Sequence, residues 1–119
     1  MLYGDAYSSR DLLRALNIAV RGGQLRSAQI LIDHGAPVNP FLHAGQLDKA
    51  PLMFAIRYER ADSTRLLLDN GAHLGERMLE RDLGKRFWDL AKSNRSTVIM
   101  DLLLEYKGHV IRGAWWSGI

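Results

Sequence analysis

Residues 50–72 have the sequence APLMFAIRYERADSTRLLLDNGA, and this stretch decides the fold. Apolar residues recur at helical spacing over residues 52–58, and the charged pair at 59–60 interrupts them. The leucines at 66–68 form the apolar part of a second segment. Gly71 follows that segment directly, where a glycine can adopt the left-handed conformation that ends a helix. The stretch therefore predicts two short helices joined by a tight turn.

The pattern occurs three times along the chain, at a period of 36 residues. Alanine recurs at positions 19, 55 and 91, and apolar triplets begin at 30, 66 and 102. A pair of short helices cannot bury its apolar face alone, so the pairs are expected to stack on one another. The period predicts an all-α fold, a short α-solenoid of three stacked helix–turn–helix repeats. The predicted helices are residues 12–22, 25–34, 51–58, 61–70, 87–93 and 97–106.

The segments outside these helices are predicted to be helix starts, loops and a tail. Ser8 and Asp11 have the residue types of a helix cap and a first turn, so they would lengthen the first helix. Residues 37–49 and 73–85 are expected to be irregular loops between units. Residues 109–119, which contain two adjacent tryptophans, are interpreted in two ways. They either cover the last helix pair or form an adhesive peptide or the stump of a longer array.

Length and composition indicate one ordinary globular domain spanning residues 1–119. The chain is 47% hydrophobic and 24% charged, with a formal net charge of +3. The cations are not clustered into runs, so the charge does not by itself indicate nucleic-acid binding. There is no cysteine, no apolar run long enough for a membrane span and no leader-like N-terminus. We therefore expect an intracellular protein that does not enter a membrane.

A search for catalytic or metal-binding motifs finds none. The four histidines lack a close metal-ligand spacing, and no glycine-rich phosphate loop or serine nucleophile motif is present. Asp33, Asp69 and Glu105 occupy equivalent positions in the three units, which is typical of a solvated helix face. The sequence predicts a protein that is not an enzyme and that needs no cofactor or metal.

The repeated unit resembles that of the ankyrin-repeat family. Residues 50–55 (APLMFA) are similar to the family's Thr-Pro-Leu-His-x-Ala motif, and residues 66–72 (LLLDNGA) to its Leu-Leu-x-x-Gly-Ala ending. Residues 35–39 (GAPVN) resemble its Gly-Ala-Asp-Val-Asn motif. The resemblance covers about residues 12–108. It divides the domain into repeats at about residues 5–40, 41–76 and 77–108, followed by the tail.

The repeats depart from the family pattern at three positions. Arg14, Ala50 and Arg86 stand where the family prefers threonine, and the histidine position holds Asn17, Met53 and Asp89. Glu59 and Arg95 replace the glycine between the two helices in the second and third units. These departures predict repeats that are less regular and less stable than idealised ones.

The resemblance implies a protein–protein interaction module, with a concave groove built from the first helices and from loop fingers. Family contact positions correspond to Arg21, Gln46, Leu47, Lys49, Arg57, Tyr58, Asp82, Leu83, Lys85, Ser93 and Asn94. This set contains four cations and one anion, so we expect it to bind an acidic or amphipathic segment of another protein. We also expect the chain to be a monomer. Two alternatives remain open: a structural remnant or fragment of a larger ankyrin array, and, less favoured, a nucleic-acid-binding module.

Overall fold

A computed structural model describes residues 8–40, 49–73 and 81–107; for 81–84 and 107 it describes the backbone only. These ranges contain six helices, and no strand occurs within them. The helices are α1 (Ser9–Arg21), α2 (Leu25–Asp33), α3 (Pro51–Arg57), α4 (Ala61–Asp69), α5 (Arg81–Ser93) and α6 (Thr97–Lys107). Each odd-numbered helix packs against the next even-numbered one, and the three pairs stack in chain order. The all-α solenoid predicted from the 36-residue period is confirmed.

The same turn joins the two helices of every pair. At the third residue past each first helix, a backbone N–H donates to the carbonyl of the repeated alanine, over distances of 2.7–3.1 Å. The donor and acceptor pairs are Gln24 to Ala19, Arg60 to Ala55, and Ser96 to Ala91. The residue before each donor has a positive φ: 71° at Gly23 and 55° at both Glu59 and Arg95. This is the glycine-type helix stop, formed twice without glycine.

Local sequence also accounts for the start of α1 and for the ends of α2 and α4. The Ser8 hydroxyl accepts the backbone N–H of Asp11 at 3.2 Å, and the Asp11 carboxylate accepts the N–H of Ser8 at 3.5 Å, a reciprocal cap. The predicted lengthening of α1 by this segment is confirmed. Gly35 and Gly71, with φ of 100° and 92°, end α2 and α4 as predicted.

The segment before the third pair corrects the sequence interpretation. Residues 73–85 were expected to be an irregular loop, with Asp82, Leu83 and Lys85 in a loop finger. Helix α5 instead begins at Arg81, so these three residues lie in its first two turns. Gly84 weakens a helix by about 1 kcal/mol, which favours a loop in the local sequence. The arginine, leucine and lysine around it are good helix formers, and they continue the backbone hydrogen bonding of a helix that the third pair already anchors.

The core lies between the layers and is continuous through the three pairs. Leu16, Leu52 and Trp88 occupy equivalent repeat positions and are all buried. Leu67 and Leu103, also equivalent, are both fully buried. The apolar triplets are buried unevenly, since Ile30 and Leu104 remain exposed at the two ends of the stack. The core is therefore most complete in the middle repeat, which has a neighbour on each side.

Polar side chains connect successive repeats by bonding to backbone carbonyls. The buried Ser63 hydroxyl donates to the Val20 carbonyl at 3.0 Å, and Arg60 Nε donates to the Arg21 carbonyl at 2.9 Å. Asn39 reaches the following unit, donating to the Gly71 carbonyl and accepting the His73 N–H, both at 2.8 Å. The Val20 carbonyl also accepts the Gly23 N–H at 3.2 Å, so the Ser63 hydroxyl adds a second hydrogen bond to it, and all of these side-chain bonds link one repeat to the next.

We expect Leu67→Ala to lower the free energy of unfolding by about 2–5 kcal/mol, because it removes a fully buried side chain and leaves a cavity. Chemical denaturation followed by helical circular dichroism would measure the change. A midpoint that does not move would contradict the assignment of Leu67 to the inter-repeat core.

The two turns that lack glycine predict substitutions that increase stability. Glu59→Gly and Arg95→Gly should each raise the unfolding free energy by about 0.5–1 kcal/mol. Release of the left-handed strain exceeds the added backbone entropy of the unfolded chain. Gly23→Ala is the matched control and should destabilise by about 1–2 kcal/mol, because an alanine at a φ of 71° carries left-handed strain. Its new Cβ meets only the Arg60 side chain, at 3.5 Å or more, so no further clash contributes. Denaturation of all three variants under one condition tests this, and equal signs would refute it.

Candidate functional site

The exposed side of α1, α3 and α5, termed the first-helix face, presents side chains in rows that cross the three helices. Equivalent positions fall in line because the repeats stack at a constant register. The apolar row consists of Ile18, Phe54 and Leu90. The inner basic row, one helical turn nearer the helix C-termini, consists of Arg21, Arg57 and Ser93. The outer row, one turn nearer the helix starts, consists of Arg14 and Arg86; its middle position is Ala50, which precedes α3 and is buried.

The apolar row is accessible to solvent. Ile18 is 61% exposed, and Phe54 and Leu90 are only half-buried. Tyr58, which follows α3 directly, is 46% exposed beside this row. Ile18 and Tyr58 are thus exposed, and Phe54 and Leu90 partly so, although the adjoining helix surfaces bury Leu16, Ala55 and their equivalents. The first-helix face therefore offers an apolar strip to a binding partner.

Two arginines of this face are stacked on aromatic rings. The guanidinium of Arg21 lies over the ring of Tyr58, with 5.7 Å between its central carbon and the ring centroid. The guanidinium of Arg57 lies over the ring of Phe54 at 5.3 Å. The first contact joins two successive repeats. Stacking engages the flat side of a guanidinium and holds its orientation, while hydrogen bonding to a carboxylate uses the N–H groups at its edge.

Charge differs between the two layers of helices. Helices α1, α3 and α5 contain eight cations and three anions, whereas α2, α4 and α6 contain three cations and five anions. The first-helix layer is therefore basic and the second-helix layer acidic. Four of these cations lie in the outer and inner rows, within one turn of the apolar row: Arg14, Arg21, Arg57 and Arg86.

The acidic second-helix layer uses its polar groups to join repeats. The Tyr106 hydroxyl donates to the Asp69 carboxylate, and that hydrogen bond, together with partial burial and the nearby negative charge, raises the pKa of Tyr106. Arg65 and Glu105 approach to 3.5 Å. Gln29 and Asn70 exchange amide hydrogen bonds of 3.0 and 3.3 Å between α2 and α4. These contacts are structural links between α2, α4 and α6.

The predicted contact residues other than Asn94 fall into three groups. Arg21, Lys49, Arg57, Tyr58 and Ser93 are exposed at or beside the first-helix face. Asp82, Leu83 and Lys85 belong to α5 and not to a finger, as corrected above, and the Lys85 side chain is exposed. Gln46 and Leu47 lie outside the described residues, as does the tail at 109–119.

Asn94 has a clear structural contact. Its side-chain amide is half-buried and donates to the Ile56 carbonyl of the preceding repeat at 3.2 Å. In the repeat before, the equivalent Val20 carbonyl accepts Ser63, whose own equivalent in the third repeat is Ile99. Asn94 therefore makes the inter-repeat bond that an isoleucine at position 99 cannot make.

Sequence reasoning missed the apolar row. Its three residues repeat at the same 36-residue period as the core alanines, each one position earlier in the chain. That placement puts them on the neighbouring flank of the helix, and periodicity cannot tell whether such a flank is covered. The outer arginines, Arg14 and Arg86, were noted only as departures from a threonine position.

The described residues contain no group of three or more metal-ligating side chains. Nor does any helix in the described ranges combine the length and apolarity needed to cross a membrane. The chemistry that the first-helix face offers is thus stacking, apolar contact and the hydrogen bonding of guanidinium groups.

Comparison with known proteins identifies the family. A family model described as Ankyrin repeats (3 copies) matches residues 4–78, more than half of the chain, and α5 and α6 continue the same stacking beyond it. No curated protein and no solved structure matches the chain. Stacked helix pairs of one register, glycine-type turns and the match to the family model lead to one conclusion: the chain belongs to the ankyrin-repeat family.

Proposed function

We propose that this chain is a non-enzymatic protein–protein interaction module that binds its partner on the first-helix face. Ankyrin repeats are generally protein-interaction modules, and that general role supports the proposal. The observation that carries it is the contact of Arg21 with Tyr58. It places a cation and an exposed aromatic ring from two repeats side by side on one surface. Aromatic residues and arginine are the side chains most enriched among those that dominate interface energies.

Each residue of the face has a definite role in this proposal. Tyr58 supplies contact area at a low cost in side-chain entropy, because it has few rotatable bonds and already contacts Arg21. Arg21 and Arg57 bind carboxylates of the partner, in a geometry that guanidinium groups favour. Lys49, Lys85 and Ser93 form a polar rim. Gln46, Leu47, Asp82, Leu83 and Asn94 complete the proposed set.

An acidic or amphipathic segment of another protein is the partner that matches this surface. The excess of cations on α1, α3 and α5 attracts negative charge, and the apolar row favours a segment with its own apolar side chains. Nucleic acid is the less favoured ligand, because an exposed Ile18 contributes nothing to phosphate binding. The module acts as a monomer in this proposal.

The test compares two double variants in capture from a cell lysate. Arg57→Glu with Tyr58→Ala changes the first-helix face, and Asp69→Ala with Asp101→Ala changes the opposite layer. The chain captured by the wild type is identified, and its binding to both variants is then measured directly. We expect the first variant to reduce affinity at least about tenfold, with faster dissociation from loss of Tyr58 and slower, less salt-dependent association from charge reversal at Arg57.

Both variants must retain the wild-type helical circular dichroism for the comparison to hold. The control removes the carboxylate that accepts the Tyr106 hydroxyl, so its stability is measured as well. If the first variant stays folded and binds as tightly as the control, the partner is recognised on another surface and the proposal is wrong.

A further inference from the structure

The rows of the first-helix face have a spacing that restricts the shape of its partner. Along the stacking direction, successive residues of one row are separated by the distance between packed helices, about 8–10 Å. Across the rows, Arg14 and Arg21 are seven residues apart on α1, which corresponds to about 10.5 Å along a helix axis. The face is therefore a strip of apolar side chains, with arginines about 5 Å to either side of its midline.

Both dimensions match an α-helix. One heptad of a helix rises about 10.5 Å, so apolar side chains one heptad apart would meet successive members of the row of Ile18, Phe54 and Leu90. A helix with its side chains is about 10–12 Å wide, close to the separation of the two arginine rows. Carboxylates on both flanks of its apolar stripe would face Arg14 on one side and Arg21 on the other.

The charge and solvent exposure of the three rows determine which kind of helix complements them. Among these three rows the only ionisable residues are arginines: Arg14, Arg21, Arg57 and Arg86, all of them exposed. In the apolar row between them Ile18 is exposed, and Phe54 and Leu90 are half-buried against the core. A partner with acidic flanks and an apolar stripe complements both features at once. A uniformly acidic chain would leave the apolar row uncovered, and an uncharged apolar helix would bury the arginines without partners, which is costly.

From these dimensions we infer that the first-helix face binds an acidic amphipathic α-helix lying across α1, α3 and α5, parallel to the stacking direction. The inference rests on the proposed function and specifies its partner. The helix presents apolar residues one heptad apart to Ile18, Phe54 and Leu90, and glutamate or aspartate on both flanks to the arginine rows. This is the helix-in-groove mode of recognition, with arginine–carboxylate pairs fixing the register.

A designed peptide provides the probe. It has three heptads with leucine at the two apolar heptad positions and glutamate on both flanks, so that repulsion between glutamates opposes self-association. One comparison peptide has the same composition in an order that scatters the leucines around the helix. Another retains the order but carries a proline in the middle heptad, which breaks the helix. Binding to the full chain is measured by fluorescence anisotropy at low and physiological salt.

Two protein variants locate the contact. Ile18→Asp places a carboxylate in the apolar row, and Val98→Asp is its matched control on α6. These side chains are 61% and 58% exposed, so neither substitution disturbs the core, and circular dichroism verifies the fold. We expect the amphipathic helix to bind, both comparison peptides to bind at least about tenfold more weakly, and only Ile18→Asp to weaken the helix, again by about tenfold or more.

The inference is overturned if the amphipathic helix fails to bind, or if the proline or scattered peptide binds as tightly. Equal weakening by Val98→Asp also overturns it, as does tighter binding of single-stranded DNA, which would mean that positive charge alone determines recognition. If binding of a natural partner depends on Arg57 and Tyr58 but the chain shows no preference for the helical peptide, the proposed function stands and only this inference is removed.

Discussion

The hydrogen bond that closes each helix pair onto its repeated alanine is the constraint on which the rest of the structure depends. In all three pairs the amide of the third residue past the first helix donates to the same carbonyl, at Ala19, Ala55 or Ala91. This bond sets the angle at which the second helix leaves the first. Because the three turns are the same, the pairs have the same shape and can stack at a constant register. Misplacement of one turn would shift every row that crosses the helices.

Because the repeats stack at a constant register, residues that recur at the repeat period in the sequence become neighbours on one surface. Ile18, Phe54 and Leu90 are far apart in the chain, and they form one strip only because α1, α3 and α5 lie side by side. The same alignment brings Arg21 of one repeat over Tyr58 of the next. The core and the first-helix face thus come from one geometric cause, with buried positions facing the paired helix and exposed positions facing away from it.

The two layers use their polar residues differently. In the second-helix layer, Tyr106 with Asp69 and Gln29 with Asn70 connect neighbouring repeats through direct side-chain bonds. In the first-helix layer, the arginines of the inner row contact aromatic rings. The side-chain hydrogen bonds of the second-helix layer thus lie on the side opposite the face proposed for recognition, while the Arg21–Tyr58 contact on that face also joins two repeats.

The sequence by itself determined the helix pairs, their order, the glycine stops and the capped start of α1, because these depend on local periodicity and on single residues such as Ser8 and Gly71. It also located Arg21, Arg57 and Tyr58 beside one repeat position. Only the tertiary structure decided that α5 begins at Arg81 across Gly84, since anchoring by the third pair outweighs one unfavourable residue. Likewise, only packing decided that Ile18 is exposed, because periodicity gives the face of a helix but not what covers it.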